Sequence, residues 1–153
     1  VEDDLLGFRR HLAAPAAVVL CMGDTLTHLP SQDAVSALIA ESAAALAAGG
    51  VFAASFRDYV TAPPAGAARF IPVRSDDHRI LTCFLDYGTT TVDVHDVVHE
   101  RGADGWALRV SSYPKLRLDP GRVLDECARH GLAARREAGL SGMVRIVARK
   151  PSA

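Results

Sequence analysis

Short apolar runs separated by polar turns organise the chain. Residues 16–21 (AAVVLC) are a continuous apolar run of strand length. They predict a strand buried on both faces, as in parallel sheets. A polar turn follows from Met22 to Pro30. Ser31 then stands where a helix N-cap is wanted, with Asp33 favourable in the first turn. Val35, Leu38, Ile39, Ala43 and Leu46 recur at helical spacing. Gly49-Gly50 predicts the end of that helix through a left-handed cap. Residues 51–56 (VFAASF) read as a second buried strand. Strand, helix and strand over about 40 residues predict a parallel pair with a right-handed crossover.

Beyond Tyr59 the pattern changes. Residues 61–68 (TAPPAGAA) form a loop by their proline and glycine content. Residues 69–74, 79–87, 91–99 and 106–113 read as four strands, and the short links between them favour an antiparallel meander. Asp119 caps a second helix with Pro120 at its first position and Gly131 at its end. Val123, Leu124 and Cys127 are its expected buried face. Residues 132–137 and 143–150 read as two last strands joined by the 139–142 turn. The expected organisation is therefore a strand–helix–strand core over 16–59, an antiparallel segment over 69–114, and a final helix with a strand pair over 119–150, all within one partial domain.

Composition narrows the function classes. The chain has 153 residues, 49% apolar and 23% charged, with a net charge of -1. That is the balance of an ordinary globular domain. It gives no basic excess pointing to nucleic acid or anionic lipid. No apolar run approaches the ~20 residues of a membrane helix. The acidic start, Val1-Glu2-Asp3-Asp4, is unlike a secretory leader. Three scattered cysteines in apolar stretches (Cys21, Cys83, Cys127) fit reduced thiols in a cytoplasmic protein. His95 and His99, if in a strand, fall on one face ~13 Å apart. That is too far for a shared zinc, so no metal site is expected.

In open α/β sheets, ligands bind outside the carboxyl ends of the parallel strands. Two polar segments leave those ends: Gly23-Asp24-Thr25 after the first strand and Arg57-Asp58-Tyr59 after the second. A parallel pair places both at one sheet edge. Gly23 lets a ligand approach the backbone. Asp24 suits an amine or a cation, and Arg57 a carboxylate.

The wording of these turns is more specific. Met22-Gly23-Asp24-Thr25-Leu26-Thr27-His28-Leu29-Pro30 and Ser55-Phe56-Arg57-Asp58-Tyr59 resemble a class I S-adenosylmethionine-dependent methyltransferase from its fourth strand through its fifth. They look most like the glycine and sarcosine N-methyltransferase group. That group has a Leu-Gly-Asn-Ser type turn with His-Leu-Pro, then an Arg-Asn-Tyr type segment. Val110-Ser111-Ser112-Tyr113-Pro114 is similar to a Ser-Tyr-Tyr-Pro segment there. The resemblance implies an α/β fold, the second half of a Rossmann-like methyltransferase sheet with an antiparallel β extension. It implies that Met22, Gly23 and His28 line the methionine end of S-adenosyl-L-methionine. Asp24 takes a place near the methyl group and the acceptor amine, as catalytic and substrate-binding residue. Arg57 holds a substrate carboxylate, and Tyr113 lines the acceptor pocket. Asp4 is the candidate adenine contact, with Asp3 as the competing choice.

The glycine-rich turn and ribose-binding acid of such enzymes are not found. The first strands and helices need roughly 60 or more further residues at ~30 per unit. The chain is therefore expected to be a fragment of a longer methyltransferase, inactive alone, whose partner is a small-molecule methyl acceptor. The exposed edge and face of its first strand predict a homo-oligomer. The alternative is a non-catalytic fragment or pseudoenzyme acting as a binding module. Each site residue also has a structural reading: Asp24 as a turn cap, Arg57 as partner of a carboxylate such as Asp58, His28 as a packed turn residue, Tyr113 as a core aromatic, Asp3 and Asp4 as a solvated terminus.

Overall fold

The computed structural model describes residues 2–61 and 63–152. Among them, the strands β1 (Ala16–Cys21), β2 (Leu46–Phe56), β3 (Phe70–Ser75), β4 (Arg79–Tyr87), β5 (Thr91–Gly102), β6 (Gly105–Leu116), β7 (Ala133–Ala138) and β8 (Val144–Arg149) form two four-stranded sheets. The helices are α1 (Gln32–Ala45) and α2 (Pro120–Arg129). The chain divides into two compact units. One joins the segment up to Thr61 to the segment from Leu118 onward; the other is the stretch between, ending at Arg117.

In the first unit the strand order is β1-β2-β8-β7. The predicted parallel pair is present, with Val19 opposite Phe52 and Cys21 opposite Ala54. The last strand of the chain, β8, inserts antiparallel between β2 and β7. Phe52, Ala54, Phe56, Ile146 and Ala148 are fully buried on one face of this sheet. Val35, Leu38 and Ile39 of α1 and Val123 and Cys127 of α2 are buried with them, and both helices contact the sheet. Each large side chain so buried contributes about 1.5–3 kcal/mol before the cost of ordering it.

The other face is exposed along β1. Val18 is 55% and Leu20 65% exposed. This corrects the expectation that the first strand is buried on both sides. The residues opposite them in register, Val51 and Ala53, share that face and are only half-buried. The reason is topological: β1 is an edge strand, and the unit's helix-covered face carries the side chains of the other parity.

The first helix also ends earlier than its glycines suggest. It stops at Ala45, and β2 begins at Leu46 rather than at 51. Lys150 does the terminating: its Nζ donates to the carbonyls of Ala43 (2.9 Å) and Leu46 (2.8 Å). A lysine there satisfies carbonyls left without intrahelical donors and complements the helix dipole. Gly49 is left-handed (φ 76), but inside β2, where the register to β1 slips. Ser31 caps α1 as expected, accepting from the Ala34 N–H at 3.1 Å. Asp119 caps α2 with Pro120 at its start.

The second unit is the expected meander, β3-β4-β5-β6, antiparallel throughout. Its last two strands run longer than expected, to Gly102 and from Gly105, because the pairing continues to the hairpin end at Gly102 and Gly105. No helix among the described residues is long and apolar enough to cross a membrane.

Candidate functional site

The two turns at the carboxyl ends of β1 and β2 meet. The Gly23 N–H donates to Ser55 Oγ at 2.9 Å, and the Asp24 N–H to the Ser55 carbonyl at 2.9 Å. In return, Asp24 Oδ1 accepts from the Arg57 N–H at 2.8 Å. Three hydrogen bonds thus tie the turn after β1 to the end of β2 and the residue beyond it. Asp24 is 4% exposed and sits in the left-handed region (φ 74), which Asp and Asn visit more readily than other non-glycine residues. Its carbonyl also accepts from Thr27 Oγ1 (2.7 Å), and Thr25 Oγ1 donates to the Met22 carbonyl (2.8 Å). The turn is pinned on itself as well as to its neighbour.

Above this frame the surface is open. Gly23 has φ 75, and a Cβ built on it meets nothing within 4 Å. The glycine serves backbone geometry and leaves the outer side of the turn accessible to a ligand. Met22 is 44% exposed, and His28 is also exposed. These three residues offer a flexible thioether, a bare backbone and an imidazole along one turn.

Arg57 reaches sideways. Its Nη1 donates to the Ser141 carbonyl at 3.3 Å, so the guanidinium lies by the 139–142 turn rather than on Asp58. Asp58 instead accepts from Thr61 Oγ1 (2.6 Å) and the Thr61 and Val60 N–H groups, and pairs with Arg136 at 3.4 Å. Burial pushes the Asp58 carboxyl up. The hydrogen bonds from Thr61 and Val60 and the Arg136 charge outweigh it and hold the group below the usual carboxylate range.

The remaining candidates belong to other elements of the chain. Asp4 caps a 3-10 turn, Leu5–His11, by accepting from the Leu6 N–H at 2.8 Å. Asp3 pairs with Arg10 and His11. Those partners lower its pKa to about 2. This terminus is an ordered turn, which sequence reading missed because its apolar positions follow no helical period. Tyr113 belongs to the second unit, half-buried on β6 opposite Val94, with the Lys115 ammonium 5.8 Å from its ring. Sequence reading also missed Ser55, the residue that stitches the two turns. Its signal was present: a lone hydroxyl in the apolar run VFAASF, buried to 6% exposure, must find a partner.

A parallel strand pair bearing two joined turns at its carboxyl edge, closed by a reversed last strand, defines an α/β fold of the Rossmann-like methyltransferase type. Solved structures of S-adenosylmethionine-dependent methyltransferases share it. An amino pentose methyltransferase from Micromonospora echinaspora, with S-adenosylmethionine bound, superposes on 97% of this chain and 63% of its own at a TM-score of 0.76 and 17% identity. An S-adenosylmethionine-dependent methyltransferase from Clostridium acetobutylicum matches 98% of this chain and 63% of its own, at 0.75 and 10% identity. A sugar N-methyltransferase from Streptoalloteichus matches 98% and 61%, at 0.68 and 13% identity. The likeness is one of fold, and the chain spans somewhat over three fifths of the length of each. No protein-family model matches the sequence, and no curated protein is similar to it.

Proposed function

We propose that this chain is the second part of a longer S-adenosylmethionine-dependent methyltransferase that acts on the amine of a small molecule bearing a carboxylate. The observation that carries the reading is the junction of the two turns, where Asp24 Oδ1 accepts from the Arg57 N–H at the carboxyl edge of two parallel strands. The fold neighbours support methyl transfer, and two are described as an amino pentose methyltransferase and a sugar N-methyltransferase. The carboxylate rests on Arg57 and on the resemblance to the glycine and sarcosine group. The longer parent rests on the bare face at Val18 and Leu20 and on the partial coverage of the neighbours.

If S-adenosylmethionine were bound, Met22, Gly23 and His28 would hold its methionine end, and it would supply an electrophilic methyl group for a neutral amine, leaving S-adenosylhomocysteine and a proton. The chain's residues supply position. Asp24, nearly out of solvent, acts here as a positioning residue: it fixes the backbone of Arg57 and of its own turn. The Arg57 fork orients the acceptor by its carboxylate. Tyr113 is assigned to the acceptor pocket and Asp4 to the adenine on the resemblance alone. Homo-oligomer formation through the β1 edge is proposed for the 153-residue chain alone, where that edge lacks the cover the longer protein would supply.

The test uses the natural-length protein. Arg57→Gln is expected to raise the KM for a carboxylate-bearing amine at least tenfold and to leave the KM for its methyl ester unchanged. Equal effects on both acceptors would remove Arg57 from recognition. A second reading, a non-catalytic binding module, draws on the exposed β1 face; absence of labelled methyl transfer by the natural-length protein to any amine would favour it.

A further inference from the structure

The antiparallel unit has two unlike faces. Residues directly opposite each other on neighbouring antiparallel strands point to the same side of a sheet. The register therefore puts Leu108 and Val110 of β6 on one side with His99 and Val97 of β5 and with Ile80 and Thr82 of β4. Trp106, at the hairpin end of β6, and the Phe70–Phe84 pair, toward the far end of the sheet, share that side. The alternate positions make the other face. Leu85, Val92 and Val94 are buried on it, and Glu100 pairs there with Arg79 and Arg109.

The first of these faces lies in solvent. Leu108 is 59% and Trp106 48% exposed, and Phe70, Ile80 and Val110 are exposed as well. Their positions are ordered. Trp106, Leu108 and Val110 stand at every second residue of one strand, the pattern of a strand that packs on another layer. The cross-strand rows through Leu108 and Val110 contain no Asp, Glu, Lys or Arg. Charge enters this face toward its two ends, with Arg101 at one and Asp86 and Asp93 at the other. An apolar centre with a polar rim is the anatomy of a protein interface.

Size separates an interface from a few stray contacts. Strands of 6, 9, 12 and 12 residues give the face a flat footprint of roughly 600 Å² at ~3.4 Å rise and ~4.8 Å strand spacing. The smaller specific interfaces take about that much from each partner, ~600 of ~1,200 Å² in all. Monomeric proteins rarely leave a largely apolar surface of this scale in solvent. We propose that this face packs against the same face of a second copy, about a two-fold axis, as a two-sheet sandwich. A two-fold pairing requires one patch that complements itself. A strip that is aromatic toward each end and aliphatic between meets that requirement, and a second copy supplies the whole matching area at once. The surface belongs to the antiparallel unit, apart from β1, and the inference does not draw on the methyl-transfer reading.

Trp106 is the chain's single tryptophan, so its emission reports on this face alone. The test follows Trp106 emission and its quenching by acrylamide over a dilution series of the 153-residue chain, with the mass of each sample measured by light scattering. Trp106 is expected to be blue-shifted and protected severalfold from acrylamide in the assembled species and exposed in the 16.2 kDa monomer. Val110→Asp, about 14 Å from Trp106 along β6, is expected to raise the concentration at which protection sets in at least tenfold. Ala107→Asp, on the opposite face, is expected to leave it unchanged. Val110→Thr keeps the β-branched shape, is expected to raise that concentration severalfold, and serves if the aspartate variant folds poorly. The natural-length protein is expected to behave as the chain does. Trp106 exposed in every species would overturn the proposal. So would Trp106 protected in a monomer, of the chain or of the natural-length protein, because another segment would then cover the face. Equal effects of Val110→Asp and Ala107→Asp would overturn it as well.

Discussion

On the helix side of the β1-β2-β8-β7 sheet, Phe52, Phe56, Ile146 and Ala148 are out of solvent. On the opposite side Val18 and Leu20 of β1 are more than half exposed, although Cys21 of the same strand is buried on the helix side. The two faces carry similar residues and differ in what covers them. An apolar strand face left in solvent is a surface for another layer, since monomeric proteins rarely expose such strips. The run AAVVLC is apolar on both parities, and a doubly covered strand is what that pattern calls for. One of its two covers is found in this unit. This contrast supports the proposal that the chain is part of a longer protein.

Substitutions on the two faces sharpen the comparison. Phe52→Ala, on the sealed face, should cost the most, about 3–5 kcal/mol, through lost burial and a cavity; urea unfolding followed by circular dichroism measures it. Asp24→Ala removes the acceptor of the Arg57 N–H and places a Cβ-only side chain in the left-handed region. A loss of about 2–4 kcal/mol is expected. Asp24→Asn keeps an acceptor and the conformational tolerance and should stay within about 1 kcal/mol of the parent. Lys150→Met strips α1 of its terminal donor at the boundary of the sealed face, for about 1 kcal/mol.

Acid should produce a smaller, graded loss. Asp58 has its pKa lowered in the fold, so its stabilising contribution is fully present above the unfolded carboxylate pKa. That contribution disappears as pH falls through the folded value. The urea midpoint of the parent should therefore converge on that of Asp58→Asn below about pH 4. A gap that persists at pH 2 would contradict the assignment of its hydrogen bonds to the charged form. The smallest effect belongs to the bare face. Leu20→Asp should change stability by less than about 0.5 kcal/mol, while shifting the chain toward monomer in light scattering. Large destabilisation there would mean that the face is covered.

Much of this architecture was legible because local chemistry and tertiary contacts agreed. Ser31 and Asp119 cap helices as their types predict, and the four alternating segments from residue 69 onward pair in the expected order. The helix end was misread because Gly49-Gly50 is a strong local signal while the terminating group, Lys150, lies 100 residues later. The bare β1 face was misread because hydrophobic pattern reports what a strand is suited to, not what lies against it. For the site, the meeting of the two turns followed from parallel pairing. Its means did not: Ser55 and the Asp24 side chain join backbone groups across about 30 positions, and no spacing rule encodes such a bond.

The account rests on the turn from Met22 to His28 being a cofactor surface. Titration of the 153-residue chain with S-adenosylhomocysteine, followed by amide NMR shifts, addresses it most directly. The prediction is weak, saturable binding that moves the Met22, Gly23, Thr25 and His28 amides. Shifts confined to other parts of the chain, or none at millimolar ligand, would contradict it.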